Sequence, residues 1–260
     1  MDLRVDLLEL VILVLAGLFG GVLAGLFGVG GGTVFVPTLV FGAGWDIDEA
    51  VAASLVIIVF SALSGTLRSM RSEAPVDWRA AALFSLAVAP SSLIGVAASG
   101  FFPETLTQLV FAGFLLALAY PTARSGKRYR EGIGGSSGSQ RAVALLGGIG
   151  AGALAGLIGI GGAALTVPLL IFGFGLNPKT AISSSLVVTL LVGVVGAAGY
   201  VATGFDRLSG LPPLIVGSVI GAWPGVRVRE RLGEAVLQRA FAAYMVVVAV
   251  LIVADAATGA

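Results

Sequence analysis

GLFGVGGGTVFVP at Gly25–Pro37 returns as GLIGIGGAALTVP at Gly156–Pro168. The offset is 131 residues and runs without a gap from Leu23 to Val56, where 17 of 34 aligned positions are identical. Gly28/Gly159, Gly30/Gly161, Gly31/Gly162, Pro37/Pro168, Phe41/Phe172 and Ser54/Ser185 are among them. A period of half the chain is too long for a solenoid unit. It predicts a duplicated membrane domain whose halves meet at a shared site.

Composition supports the membrane reading. Hydrophobic residues are 57% and charged residues 11% of the 260, against about half and a quarter in soluble domains. So few charges cannot coat a soluble surface. Leu7–Phe27, Ala50–Leu67, Ala80–Ala98, Leu106–Tyr120, Ala142–Ile160, Ala181–Val201 and Val236–Ala254 are apolar runs, with only Glu9 and Arg239 charged among them. Several reach the roughly 20 residues that span a bilayer. The expectation is an all-α, multi-pass protein of the cell membrane. Met1–Gly20 opens with Asp2, Asp6 and Glu9 against Arg4, the wrong sign for a signal peptide, and reads as a first membrane helix.

Cysteine and histidine are both absent. That removes thiolate nucleophiles, imidazole bases and most transition-metal sites, so neither metal nor cofactor is expected. A net charge of +1 points to no nucleic-acid partner. The partners expected are a small anion and the lipid bilayer, with homo-oligomerisation left open.

Each half holds five apolar segments. The first has Leu7–Phe27, the short Thr33–Gly42, Asp48–Met70, Asp77–Gly100 and Pro103–Tyr120. The second has Ala142–Ile160, the short Leu165–Gly173, Pro178–Val201, Asp206–Val228 and Glu234–Ala254. The domains are therefore residues 1–123, a basic Gly/Ser-rich linker at 124–141, and residues 142–260. Ten residues make about 15 Å of helix, so the short segments are half-helices that stop inside the membrane after glycine-rich breaks. Irregular backbone at that depth must be covered by protein or line a watery cavity.

Charge relates the halves. With five crossings per half, one side collects Arg68, Arg71, Arg79, Arg124, Lys127, Arg128, Arg130, Arg141, Lys179, Arg227, Arg229, Arg231 and Arg239, 13 of 15 basic residues. With four crossings the split would be 10 to 5. The positive-inside rule favours two inverted-topology repeats with a cytoplasmic linker, a common transporter plan.

The glycines divide into two groups. Gly17, Gly21 and Gly25 are spaced by four, as are Gly148, Gly152 and Gly156, and such ridges let membrane helices pack closely. Gly28, Gly30, Gly31 and Gly32, with Gly159, Gly161 and Gly162, instead unwind the backbone and free N–H groups. A half-helix that starts just after them directs its positive end at the gap, which suits an anion. Thr33 opens the first half-helix. Ser54, Ser61 and Ser64, and their counterpart run Ser183, Ser184, Ser185 and Thr189, are helix-interior hydroxyls whose ordinary role is packing or back-bonding. Ser54 and Ser185 occupy equivalent positions and are the preferred ligands, with Ser184 beside them. Buried charge, the usual mark of a coupling site, is nearly absent from this reading: Asp46, Asp48, Glu49, Asp77, Glu104, Asp206 and Glu234 fall at segment ends, and Arg68 is expected to snorkel.

The paired G-x-G-G-x(5)-P breaks, each followed by Ala-x(3)-Ser (Ala50/Ser54 and Ala181/Ser185), resemble the TauE/SafE family of sulfite exporters. So does Val76-Asp77-Trp78. The resemblance covers nearly the whole chain and implies export of small sulfur-containing anions, sulfite or organosulfonates such as sulfoacetate. The second copy departs from the first with Ala163 in place of Gly32. A dianion leaving a negative-inside cell gains roughly 4.6 kcal/mol per 100 mV, so export needs no coupled ion. The alternatives are an anion channel on the same breaks and an intramembrane serine enzyme. Without histidine the second lacks its usual base, and a non-enzymatic protein is expected. Alanine at Gly30 should spare the fold, since alanine favours helix over glycine by about 1 kcal/mol.

Overall fold

The computed structural model describes residues 7–98, 101, 104–130, 138–158, 163–205 and 210–258. The first half is built from α1 (Leu7–Phe27), α2 (Gly32–Pro37), a π-helical segment (Thr38–Gly42), α3 (Ile47–Ser69), α4 (Trp78–Ala98) and α5 (Glu104–Arg130). The second has α6 (Gly138–Ile158), α7 (Ala163–Phe174), α8 (Pro178–Ala202), α9 (Pro212–Arg231) and α10 (Glu234–Thr258). Every expected segment is present. Helices α5 and α6 also run into the basic 124–141 stretch from both ends.

Six helices among the described residues, α1, α3, α4, α6, α8 and α10, are long and apolar enough to cross a membrane. Their outward faces carry bare aliphatic and aromatic side chains, such as Leu15 and Phe19 on α1, Leu86 and Ile94 on α4, and Val250 and Leu251 on α10. A soluble monomer does not expose such surface. The protein is a polytopic helical membrane protein.

The half-helices stop for a local reason that both copies share. Gly44 and Gly175 take φ of 65° and 66°, a left-handed turn that glycine enters freely. Their N–H groups return to Val40 O and Ile171 O, each at 3.1 Å. The copies differ one turn earlier. Pro37 has no N–H to donate, and Thr38 Oγ1 back-bonds to Val34 O at 2.7 Å, where the first copy widens into its π segment. Leu169 replaces Thr38 in the second copy, and α7 stays α-helical through Pro168.

Packing joins the halves. Helix α1 lies along α9 and α6 along α4; α3 crosses α8, and α5 lies with α10. Exchanging the halves turns this pattern into itself. The glycine ridges form the two tightest seams. A Cβ at Gly21 would sit 2.2 Å from Ser218 O, and one at Gly221 would sit 2.1 Å from Leu18 O, so α1 and α9 are glycine-on-backbone from both sides. Gly152 meets Val88 O at 2.2 Å and Gly95 meets Ala153 O at 2.0 Å in the same way. The ridges are packing devices, as their spacing predicts.

Candidate functional site

Helix α1 ends because its backbone turns left-handed. The last ladder bond is Gly28 N to Ala24 O at 2.8 Å, and Gly28, Gly30 and Gly31 then take φ of 73°, 73° and 86°. Side-chain-bearing residues resist this region. The sequence expectation that Gly30 tolerates alanine is therefore overturned: the residue is not helical, and helix propensity does not apply to it. A Cβ there would also meet Thr189 Cγ2 at 2.7 Å and Ile58 Cγ2 at 3.0 Å.

A break in a helix orphans carbonyls and N–H groups alike. Gly28 O accepts from Ser185 Oγ at 3.2 Å and Thr189 Oγ1 at 3.3 Å, both on α8. Gly30 O accepts from Ser61 Oγ of α3 at 2.7 Å. Gly31 O takes Val34 N and Phe35 N at 2.9 and 3.2 Å. The N–H groups of Gly30, Gly31 and Gly32, all buried, donate to no other described residue. Three carbonyls of the break are taken, and a row of three glycine N–H groups is open among the described residues. An open row of N–H donors suits an anion.

The structure brings together Gly28, Gly30, Gly31, Gly32 and Ser185 of the expected site, and adds Ser61 and Thr189. Thr33 faces away, its hydroxyl hydrogen-bonded to that of Tyr244 on α10, whose ring stacks on Phe27 at 5.1 Å. Ser184 belongs to another neighbourhood and accepts from Asp77 N at 2.9 Å. Ser54 is fully buried and donates to Val51 O at 2.8 Å. Gly159, Gly161 and Gly162 lie outside the described residues.

One turn from the first break sits a group that the sequence reading counted only among the basic residues of one side. Arg229, on α9, is 1% exposed and is the largest of the fully buried side chains. Its Nη1 donates to Gly25 O at 3.3 Å; its Nη2 donates to Ser69 Oγ at 2.9 Å and Ser183 Oγ at 3.1 Å. The expectation that buried charge is nearly absent is corrected here. Sequence position disguised it, because Arg227–Arg239 reads as one basic cytoplasmic loop. The available signal was phase: Gly217, Gly221, Gly225 and Arg229 follow at intervals of four, so the arginine continues the face that packs on α1. Arg68, for its part, pairs with Glu230 at 3.1 Å rather than reaching into water alone. Lys179 Nζ donates to Glu230 O at 2.9 Å.

A family model described as sulfite exporter TauE/SafE matches residues 13–252, from within α1 to within α10, both glycine-rich motifs included. The chain belongs to the TauE/SafE family. Similar relatives carry broader names. The probable membrane transporter protein YunE of Bacillus subtilis (strain 168) is 28% identical, over 94% of this chain and 96% of its own. The probable membrane transporter protein YdhB of the same organism is 26% identical, over 85% of this chain and 90% of its own. A probable membrane transporter protein of Haemophilus influenzae is 30% identical over 61% of this chain and 60% of its own. No solved structure matches the chain. As a TauE/SafE member with six span-length helices, the protein is a multi-pass membrane transporter.

Proposed function

We propose that the protein exports small sulfur-containing anions, sulfite or an organosulfonate such as sulfoacetate, through a midplane site between two inverted repeats. One observation carries the reading: at the first break the carbonyls of Gly28 and Gly30 are occupied by hydroxyls while the N–H groups of Gly30, Gly31 and Gly32 donate to no other described residue. Such a row of donors binds oxyanions, and the family description names sulfite. One feature supports the inverted arrangement: the basic residues divide 13 to 2 under it. The helix pairing, unchanged when the halves are exchanged, supports the duplication. The matching motif at Gly159, Gly161 and Gly162 is the expected second half of the site.

Radiolabelled sulfite counterflow in proteoliposomes tests the function. Saturable exchange, competed by sulfoacetate, is expected. Flux that rises without saturation identifies a channel instead, and no flux of either anion overturns the proposal.

Topology is tested separately, from the natural cysteine-free background. Ser137→Cys is expected to resist a membrane-impermeant maleimide applied to intact cells and to react after permeabilisation. Labelling from outside sinks the inverted arrangement.

Ser185→Ala is expected to raise the half-saturation concentration about tenfold or more, the scale of one hydrogen bond to a charged partner. The fold should survive, because Thr189 still serves Gly28 O. Unchanged affinity with a lowered Tm would assign the hydroxyl to packing.

A further inference from the structure

Removing a guanidinium from water costs several kcal/mol unless it is well paired, and no carboxylate hydrogen-bonds Arg229 to meet this cost. Its three hydrogen bonds all end on neutral oxygens. The neighbouring carboxylate, Glu230, is held by Arg68 at 3.1 Å. Asp77 caps α4 through Ala80 N at 2.9 Å. Arg68, Lys179 and Arg229 against Glu230 and Asp77 leave the cluster with one positive charge in excess.

The simplest explanation is capping. Gly25 O lies in the last turn of α1, where the break removes its ladder partner, and Arg229 supplies a donor. The repeat shows that this task needs no charge. Gly156 O is the equivalent carbonyl in α6, and there the neutral Tyr200 hydroxyl donates at 3.1 Å. A phenol suffices in one half while a buried cation stands in the other. Its place is also distinctive. Gly25 is three residues before Gly28, about 5 Å along the helix. Ser183 is two residues before Ser185, which reaches Gly28 O. The guanidinium thus lies between the open N–H row and the Arg68–Glu230 surface.

We propose that Arg229 is the anion receptor at the basic end of the first break. Its guanidinium is held closed by Ser69, Ser183 and Gly25 O when empty, and is released to make a two-pronged contact with an oxyanion such as sulfite or a sulfonate. Guanidinium geometry matches two oxygens of such a group, whereas an ammonium does not. Ser69 and Ser183 are then competitors of the ligand, and removing them makes the receptor easier to open. This inference rests on the anion-transport reading and adds to it a residue, a position and a direction of effect.

The test is sulfite counterflow with half-saturation and Tm measured on the same purified samples. Wild type, Arg229→Lys, Arg229→Gln and the double variant Ser69→Ala/Ser183→Ala are compared. Arg229→Gln is expected to raise the half-saturation concentration about ten- to a hundredfold, with Arg229→Lys between it and wild type. The double serine variant is expected to lower it about threefold or more, although its Tm falls, because a larger fraction of the protein is open. A purely capping arginine predicts lower Tm in every variant and an unmoved half-saturation. If Arg229→Gln does not fold, the serine pair decides alone: unchanged or weaker affinity overturns the receptor. If wild type exchanges sulfite while Arg229→Gln matches its affinity, the receptor is wrong and the transport reading stands. No exchange by wild type overturns both.

Discussion

Alanine at Gly28 is expected to abolish transport and to destabilise the protein by about 2–5 kcal/mol, combining left-handed strain with overpacking. Gly28 holds φ of 73°, which costs an L-residue about 1–2 kcal/mol. Its new Cβ would lie 2.1 Å from Ser185 Oγ and 2.8 Å from Ile182 O. The hydroxyl can rotate away, but the carbonyl belongs to the α8 backbone and cannot. Either α8 shifts or the break does, and the N–H row of Gly30, Gly31 and Gly32 moves with it. Gly44→Ala separates the two contributions, since Gly44 has φ of 65° and a methyl group added there would meet nothing within 4 Å. It should lose only the strain, about 1–2 kcal/mol, and keep its transport rate. Melting temperature and initial sulfite exchange rate on both variants check this. A Gly28→Ala protein that melts and transports like Gly44→Ala would show that the close approach to α8 does not matter.

The helical plan was legible because membrane segments announce themselves by length and apolarity. The end of the first helix at Phe27 was readable to the residue, and the short half-helices were readable because ten apolar residues cannot span a bilayer. The basic 124–141 stretch was only half readable. Its charges set it apart from the membrane, yet they do not forbid helix, and α5 continues to Arg130. Partner choice was not readable at all. The spacing of Gly17, Gly21 and Gly25 says that something packs closely, but not that the partner is α9 from the other half rather than α2 next in the chain.

The site was legible as backbone and obscure as side chains. Consecutive glycines at Gly30–Gly32 have no role in a helix, so a break was the natural reading. Their left-handed torsions depend on tertiary placement, which is why helix propensity misjudged Gly30. Hydroxyls were harder. Ser61, Thr189 and Ser185 serve the break carbonyls, while Ser184 serves Asp77 N. Adjacent residues on a helix point about 100° apart, and nothing in the run Ser183-Ser184-Ser185 says which one faces the gap. Arg229 was hidden by a rule that is right on average: basic residues at a helix end usually belong to the cytoplasmic surface.

The glycine seams give the second large effect. Gly21→Ala and Gly152→Ala are each expected to cost about 1–3 kcal/mol or more, because each methyl group would land 2.2 Å from a backbone oxygen, Ser218 O and Val88 O respectively. A backbone oxygen cannot swing aside as a side chain can, so whole helices must separate, and their reciprocal contacts at Gly221 and Gly95 loosen with them. The α1–α9 and α6–α4 seams share no helix. The two losses should therefore be similar and should add in the double variant. Gly113→Ala and Gly150→Ala provide the contrast, since both are helical with nothing within 4 Å of the added atom. Helix propensity alone then applies, and these should be neutral or stabilised by up to about 1 kcal/mol. Thermal unfolding of the five detergent-purified variants measures all of this. A neutral Gly21→Ala beside a damaging Gly152→Ala would mean that the two seams are not equivalent, and with that the duplicated architecture would lose its strongest packing argument.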